Sequence, residues 1–213
     1  LGTDPTICSR HPALAEAAAT VGGWQTQAVG TLGGNICNAS PAADTAPPLL
    51  VADSVLELTS SAGRRSVPVE EFFLGRRKID RRPDELVTAV VLRPIGPGAG
   101  EAYLKVGRRG AMVVAVAGLA ARLLFGKDGR IEDARVALCS VAPTPLRLRE
   151  VEKVLVGSVG SEAVVEAGAV LAAAVAPIDD ARASGSYRRA VLAGLLERAV
   201  GLCRSRAGVE EQR

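Results

Sequence analysis

A short segment rich in glycine and proline, residues 93–100, separates two parts of the chain that have different hydrophobic patterns. Before it, short helical runs are mixed with short runs of alternating apolar residues. After it, three strand-like runs precede three runs with helical spacing, and the dipeptide Asp128-Gly129 predicts a hairpin between the second and third strands. Strands followed by helices, rather than alternating with them, favour an α+β fold.

The apolar spacing and the turn residues predict the individual elements. In the first part we expect helices at 11–21 and 41–52, strands at 54–59, 66–69 and 86–92, and a loop or short turns at 25–38. Residues 60–63 predict a hairpin turn between the first two of these strands. In the second part we expect strands at 102–106, 112–125 and 131–141, then helices at 147–156, 162–174 and 184–204. The predicted domains are therefore residues 1–95 and 98–204, followed by a tail at 205–213.

Composition excludes several classes of protein. The 26 basic and 23 acidic residues give a net charge of +3, which is too small to indicate nucleic-acid binding by itself. The apolar stretch 111–125 contains Arg122 and is shorter than the roughly 20 residues that span a membrane. One histidine and four widely spaced cysteines indicate neither a metal site nor a catalytic site, and we expect reduced thiols in a cytoplasmic protein.

The glycine-rich run 30–41 is the strongest candidate for a binding site. Paired glycines let backbone N–H groups approach a ligand, and consecutive free amides favour an anion such as a pyrophosphate. Asp44, which we place on the following helix, is suited to accept hydrogen bonds from sugar hydroxyls. The alternative is a plain glycine turn with helix caps at Asn38 and Ser40. Polar side chains that would support the binding function are Thr31, Asn35, Asn38 and Ser40.

The run TLGGNICNASPAADTAPPLLVADSVLEL, residues 31–58, resembles the second flavin-binding motif of the FAD-binding (medium) subunits of the molybdenum hydroxylase family. That family includes the medium subunit of aerobic carbon monoxide dehydrogenase and the flavin subunit of xanthine dehydrogenase. Further similar stretches follow the family's order, and together they cover nearly the whole chain. They are residues 11–22, 69–94, 102–118, 133–147 and 183–200.

The resemblance implies a fold and an activity. The fold is the second subdomain of a two-part FAD-binding domain, followed by a three-stranded antiparallel sheet with a three-helix bundle. The activity is that of an oxidoreductase subunit that passes electrons from iron–sulfur clusters through FAD to an external acceptor. The implied partners are a molybdopterin-containing large subunit and a 2Fe-2S small subunit. The resemblance also implies that the protein binds no nucleic acid and has no membrane-spanning segment.

The resemblance also assigns residues to the cofactor. The pyrophosphate loop corresponds to Thr31, Gly33, Gly34 and Asn35, and contacts farther along the cofactor correspond to Asn38, Ala43 and Asp44. Leu86 and Val87 correspond to a pair beside the flavin nucleotide, Lys105 to a basic position facing the cofactor, and Tyr103 to a position near the isoalloxazine. For Lys105, a lysine on the protein surface is the alternative. No catalytic side chain and no metal ligand are implied.

One family feature is absent. The family's first glycine-rich FAD motif does not occur in this sequence, and Met112 is the only methionine. We therefore expect a portion of a longer flavoprotein that lacks the first flavin subdomain and is inactive alone. A second hypothesis is a non-catalytic assembly module of the same complex that does not hold FAD alone. A third is a nucleic-acid-binding protein that uses the basic run 76–82.

Overall fold

The computed structural model describes residues 1–110 and 112–209. The helices of these residues are α1 Pro5–Arg10, α2 Pro12–Thr20, α3 Trp24–Val29, α4 Leu32–Cys37, α5 Ala46–Val51, α6 Val69–Phe72, α7 Arg149–Leu155, α8 Ser161–Ala174 and α9 Gly185–Arg206. The strands are β1 Val55–Ser60, β2 Gly63–Pro68, β3 Phe73–Gly75, β4 Lys78–Ile79, β5 Leu86–Val91, β6 Ala99–Val106, β7 Ala117–Phe125, β8 Ile131–Cys139 and β9 Leu146–Arg147. The chain is therefore α+β, as predicted.

The first part of the chain contains a three-stranded antiparallel sheet in the order β2-β1-β5. Strands β1 and β2 form the predicted hairpin, with Ser60 paired to Gly63 across the turn. The alternating residues Leu56 and Leu58 are both 0% exposed, so one face of β1 packs in a core. Strand β5 continues this sheet and lies beside helix α4.

The second part contains an antiparallel sheet in the order β6-β7-β8-β9. In its register, Lys105 of β6 is opposite Gly118 of β7, and Gly118 is opposite Cys139 of β8. The expectation of three strands was incomplete, because the two-residue strand β9, which follows Pro143 and Pro145, also pairs with β8. This register fixes which side chains stand next to one another on each face.

Both faces of the second sheet are covered. One face packs on α7, α8 and α9 in a core that includes Leu119, Leu138 and Leu196. The other face packs on α2 and α5 of the first part, and Tyr103 and Ala120 belong to that second core. The second sheet therefore lies between two helical layers, and the predicted division into residues 1–95 and 98–204 stays a prediction.

Ion pairs link the two parts, and in each of them the acid comes from the first part and the base from the second. They are Asp44–Lys105, Asp53–Arg135, Asp53–Arg147, Glu70–Arg149 and Glu16–Arg206. In the Asp44–Lys105 pair both side chains are less than a tenth exposed, whereas both partners of Glu70–Arg149 are about half exposed. Exposed pairs contribute little to stability, so the buried pair is the one that fixes geometry.

Three local predictions were wrong in detail. Residues 25–38 were expected to form a loop, but they include most of α3 and all of α4. The strand expected at 112–125 begins only at Ala117, since Met112 has a φ of 50° that no strand accommodates. The helix expected at 41–52 is limited to Ala46–Val51. The tail expected from residue 205 begins within α9, and residues 210–213 lie outside the described residues.

Candidate functional site

Helix α4 is built from the glycine-rich run. The Thr31 side chain caps it, because its Oγ1 accepts a hydrogen bond of 2.9 Å from the Gly34 N–H. Ile36 is 0% exposed and anchors the helix in the core, which offsets the low helix propensity of two glycines. Among the described residues, none accepts a hydrogen bond from the N–H groups of Leu32 and Gly33, as at the start of any helix.

The two glycines of α4 have different surroundings. A Cβ on Gly33 would have the Val87 carbonyl oxygen, 4.0 Å away, as its nearest contact, so the surface there is open. A Cβ on Gly34 would lie 2.9 Å from Thr31 Oγ1, within the cap itself. Gly33 therefore leaves room for a ligand, whereas Gly34 leaves room for the cap.

A cavity of about 570 Å³ lies beside α4. Four of its lining residues are Thr31, Gly34, Asn35 and Thr45, and the rest of the wall comes mostly from residues 1–3, from α2 and α3 and from residues next to these helices. The buried Thr45 hydroxyl donates to Asn35 Oδ1 over 2.7 Å. This bond orients the Asn35 amide and leaves its NH₂ group with no acceptor among the described residues.

Asp44 lies at the centre of a second cluster of polar side chains. Its Oδ1 accepts a hydrogen bond of 2.7 Å from the Tyr103 hydroxyl, and its Oδ2 accepts one of 2.8 Å from Lys105 Nζ. Lys105 also donates to the Thr20 carbonyl, the last of α2, over 2.9 Å. The Lys105 side chain is only 7% exposed, so the alternative of a surface lysine is wrong. Asp44 itself lies in a turn before α5 and not on a helix as expected.

Burial and charge act on this group in opposite directions. Burial raises the pKa of Asp44, and the hydrogen bonds from Lys105 and Tyr103 together with the Lys105 charge lower it. Burial, reinforced by the nearby Cys139 and Asp44, raises the pKa of Tyr103 well above its usual value. The Asp44 carboxylate therefore depends on these two partners to remain ionised.

The structure brings together some of the predicted site residues and separates others. Gly33, Gly34 and Asn35 lie in α4, and Thr31 is its N-cap residue. The Val87 carbonyl oxygen would be the nearest contact of a Cβ on Gly33. Asp44 and Lys105 form the buried ion pair, and Thr45 connects Asp44 to Asn35. Leu86 is 70% exposed at the start of β5.

Two predicted residues lie apart from the open end of α4. Asn38 ends the helix, and its Oδ1 accepts a hydrogen bond of 3.1 Å from Arg77 Nη1. Ala43 is 2% exposed and packs in the core, so its side chain contributes packing.

Sequence reasoning missed three residues of this region: Thr45, Gly118 and Cys139. Thr45 orients Asn35, while Gly118 and Cys139 lie around the Tyr103 hydroxyl. The strand pattern placed Tyr103 and Lys105 on one face, because they are two residues apart. No sequence signal pairs them with Gly118, since that contact depends on the register of β6 and β7.

Comparison with known proteins identifies the family. Residues 2–93 match the FAD binding domain in molybdopterin dehydrogenase, and residues 101–202 match the CO dehydrogenase flavoprotein C-terminal domain. The carbon monoxide dehydrogenase medium chain of Afipia carboxidovorans is 32% identical over 209 residues, which cover 97% of this chain and 71% of that one. The chain belongs to the FAD-binding medium-chain family of the molybdenum hydroxylases.

Similarity to other proteins supports the same family assignment. The xanthine dehydrogenase FAD-binding subunit of Escherichia coli O157:H7 is 37% identical over 152 residues, covering 70% of this chain and 52% of that protein. The carbon monoxide dehydrogenase structure from Hydrogenophaga pseudoflava superposes with a TM-score of 0.92 at 31% identity, covering 97% of this chain and 71% of that one. The chain thus spans about half the length of its xanthine dehydrogenase relatives.

The residues of α4 fit the cofactor of the medium-chain family. FAD carries a pyrophosphate, and helix N-terminal amides with an open surface at Gly33 suit such an anion. Within residues 1–110 and 112–209, no helix is long and apolar enough to cross a membrane. In the same described ranges, no cluster of three or more His, Cys, Asp or Glu residues is arranged to hold a metal ion.

Proposed function

We propose that this chain is the FAD-binding portion of the medium subunit of a molybdenum-containing hydroxylase or dehydrogenase. FAD supplies the redox chemistry when bound, and the chain supplies binding, orientation and charge. In this function the subunit passes electrons from iron–sulfur clusters to an external acceptor. Membership of the medium-chain family supports the proposal.

The open N-terminal end of α4 is the observation that carries the proposal. The amides of Leu32 and Gly33, which have no acceptor among the described residues, and the oriented amide of Asn35 provide donors for pyrophosphate oxygens beside the cavity. The buried Asp44–Lys105 pair provides charge and hydrogen-bonding groups for a more distant part of FAD. No side chain of the site acts as a nucleophile in this assignment.

The proposed partners are a molybdopterin-containing large subunit and a 2Fe-2S small subunit, in the cytoplasm. Relatives named as medium chains and as FAD-binding subunits support this assembly, since such names imply companion subunits. Co-expression of the chain with candidate subunits from the same organism, followed by affinity purification, tests it. Recovery of all three polypeptides at equal stoichiometry is the expected result, and recovery of the chain alone would contradict it.

The binding proposal is tested with the purified chain and FAD. We expect the visible absorption of flavin to remain with the protein through gel filtration. Among the described residues, the atom nearest to a Cβ on Gly33 would be the Val87 carbonyl oxygen at 4.0 Å, so Gly33→Leu should fill the open surface and abolish retention while leaving the fold intact. Gly201→Ala is the matched control and should retain flavin, because a Cβ on this glycine of α9 would have no atom of residues 1–110 or 112–209 within 4 Å.

The outcomes separate the hypotheses. Retention by Gly33→Leu at the unmodified level would contradict the assignment of α4 as the pyrophosphate site. Failure of the unmodified chain to retain FAD would favour the assembly module. Gly34→Ala tests the cap separately, because its methyl group would lie 2.9 Å from Thr31 Oγ1 and displace that side chain.

A further inference from the structure

The hydroxyl of Tyr103 is buried on one face of the second sheet, next to β7 and β8, and it meets Asp44 of the first part. It donates to Asp44 Oδ1 over 2.7 Å and lies 3.9 Å from Cys139 Sγ. Tyr103 is 4% exposed and Cys139 is 0% exposed. Because the hydroxyl donates to the carboxylate, the Cys139 thiol is left to donate to the tyrosine oxygen.

Gly118 makes room for this hydroxyl. A Cβ on Gly118 would lie 2.7 Å from the Tyr103 hydroxyl oxygen and 2.6 Å from Cys139 Sγ. Gly118 pairs with Lys105 on one side and with Cys139 on the other, so it lies on a strand that has a neighbour on both sides. Glycine weakens a strand interior and often marks a place where another group must approach closely. Here that group is the tyrosine hydroxyl.

Hydrogen bonds connect the carboxylate that this hydroxyl contacts to helix α2 and, through the next residue, to helix α4. Lys105 donates both to Asp44 and to the last carbonyl of α2. Thr45, the neighbour of Asp44, binds Asn35 on α4. The orientation of one carboxylate therefore affects the relative placement of α2, α4 and β6.

We propose that Tyr103 is a positioning residue, which holds the Asp44 carboxylate, and through it Lys105, in the geometry that the cofactor site requires. The consequence for FAD rests on the proposed function, whereas the contact between Tyr103 and Asp44 is tested independently of FAD. The ring of Tyr103 fills space in the core, but its hydroxyl orients a charged group.

The titratable groups around Asp44 allow a test by pH. Tyr103 and Lys105 face Asp44 from β6, and Cys139 faces it from β8. Glu16 of α2 accepts a hydrogen bond from the backbone N–H of Tyr103. Burial raises the pKa of Tyr103 well above its usual value and that of Cys139 to about 12, so both remain neutral between pH 4 and 7. The backbone bond to Glu16 is unchanged when only the hydroxyl is removed.

Urea unfolding of Tyr103→Phe at pH 7 and pH 4 tests the contact. At pH 7 we expect the unfolding equilibrium constant to rise about tenfold or more, because a hydrogen bond to a charged group is lost. At pH 4 the raised pKa of Asp44 favours the neutral carboxyl, so the rise should fall to about threefold. Tyr187→Phe, at the only other tyrosine and 49% exposed, is the control and should change little at either pH.

An equal effect of Tyr103→Phe at both pH values would overturn the proposal, since it would show that the hydroxyl does not act through the Asp44 charge. In a second measurement, FAD titration of the folded variant should give a Kd weakened about three- to tenfold at pH 7, with no change for Tyr187→Phe. The acid limb of FAD binding should also move to higher pH in Tyr103→Phe, because Asp44 loses a bond that favours its charged form.

The two proposals fail in different ways. If the unmodified chain binds FAD and Tyr103→Phe binds it with the same Kd and pH profile, the positioning role is wrong and the proposed function stands. If the unmodified chain does not bind FAD, the proposed function is wrong, and the unfolding measurements alone then decide whether Tyr103 holds Asp44.

Discussion

Gly118→Ala is the substitution that most directly perturbs the buried polar group. The added methyl group would lie 2.6 Å from Cys139 Sγ and 2.7 Å from the Tyr103 hydroxyl, whereas ordinary contacts are 3.4–4 Å. Each neighbour must therefore move by roughly 0.7 Å or more in a packed core. A movement of this size would stretch the 2.7 Å bond from Tyr103 to Asp44 to the limit of a hydrogen bond.

The expected change in the free energy of unfolding combines two destabilising contributions and one stabilising contribution. Overpacking a core with one methyl group typically costs about 1–3 kcal/mol. Weakening a hydrogen bond to a charged group costs up to about 1.5–3 kcal/mol. Replacing a strand glycine by alanine recovers about 0.5–1 kcal/mol. We therefore expect Gly118→Ala to lower the free energy of unfolding by about 3 kcal/mol.

A double-mutant cycle measured by urea unfolding with circular dichroism at pH 7 tests this reasoning. In the Tyr103→Phe background the methyl group no longer meets a hydroxyl oxygen, so the cost of Gly118→Ala should fall to about 1 kcal/mol. The coupling energy between the two positions should thus be about 2 kcal/mol. Gly201→Ala in the same two backgrounds is the control and should show no coupling, because a Cβ on Gly201 would have no neighbour within 4 Å in the part of the chain that the structure describes.

Additive costs for Gly118→Ala and Tyr103→Phe would refute the reasoning, since they would show that Gly118 does not make room for the hydroxyl. An unfolding free energy unchanged by Gly118→Ala alone would refute the close approach of β7 to Tyr103 altogether.

Further substitutions test the packing of the sheet and its ion pairs. Gly100→Ala should destabilise the protein by about 3 kcal/mol in urea unfolding, because its Cβ would lie 2.0 Å from the Cys203 carbonyl oxygen of α9. Gly201→Ala on α9 should instead stabilise the protein by about 0.5–1 kcal/mol, because alanine has a higher helix propensity than glycine. Arg188→Met should cost about 3–5 kcal/mol in the same assay, because Arg188 is 2% exposed and its guanidinium donates to two backbone carbonyls and one carboxylate. The Arg65 guanidinium and the Arg82 backbone N–H lower the pKa of Glu85 to about 2, so Glu85→Gln should destabilise at pH 7 and progressively less as the pH falls from about 4.5 towards 2. An equal effect of Glu85→Gln at both ends of that range would contradict this assignment.

Much of the fold follows from local sequence. The helix from Pro12, the hairpin that joins β1 and β2, and the hairpin at Asp128-Gly129 are confirmed, because each is specified by the spacing and turn residues of adjacent positions. The long helix near the C-terminus is also confirmed, with its Ser184 side chain accepting from the Tyr187 N–H. These elements need no distant partner to be recognised.

Helix α4 shows where local reasoning fails. Two glycines in six residues predict a turn, since glycine is about 1 kcal/mol worse than alanine in a helix. The helix forms because Thr31 caps its first turn and because Ile36 is buried against the first core. The cap is a local signal that was available in the sequence, whereas the burial of Ile36 comes from tertiary packing.

The sequence by itself determined the order of the elements, the glycine-rich segment and the family resemblance, because these depend on residues that are close in the chain. Only the tertiary structure decided that Asp44 meets Tyr103 and Lys105, which are 59 and 61 positions away. It also decided that Gly118 makes room for their contact. Such contacts arise because α2 and α5 pack on the face of the second sheet that carries Tyr103 and Lys105. Periodicity reveals which face of a strand is buried, but the partner that covers it is set by the packing of distant segments.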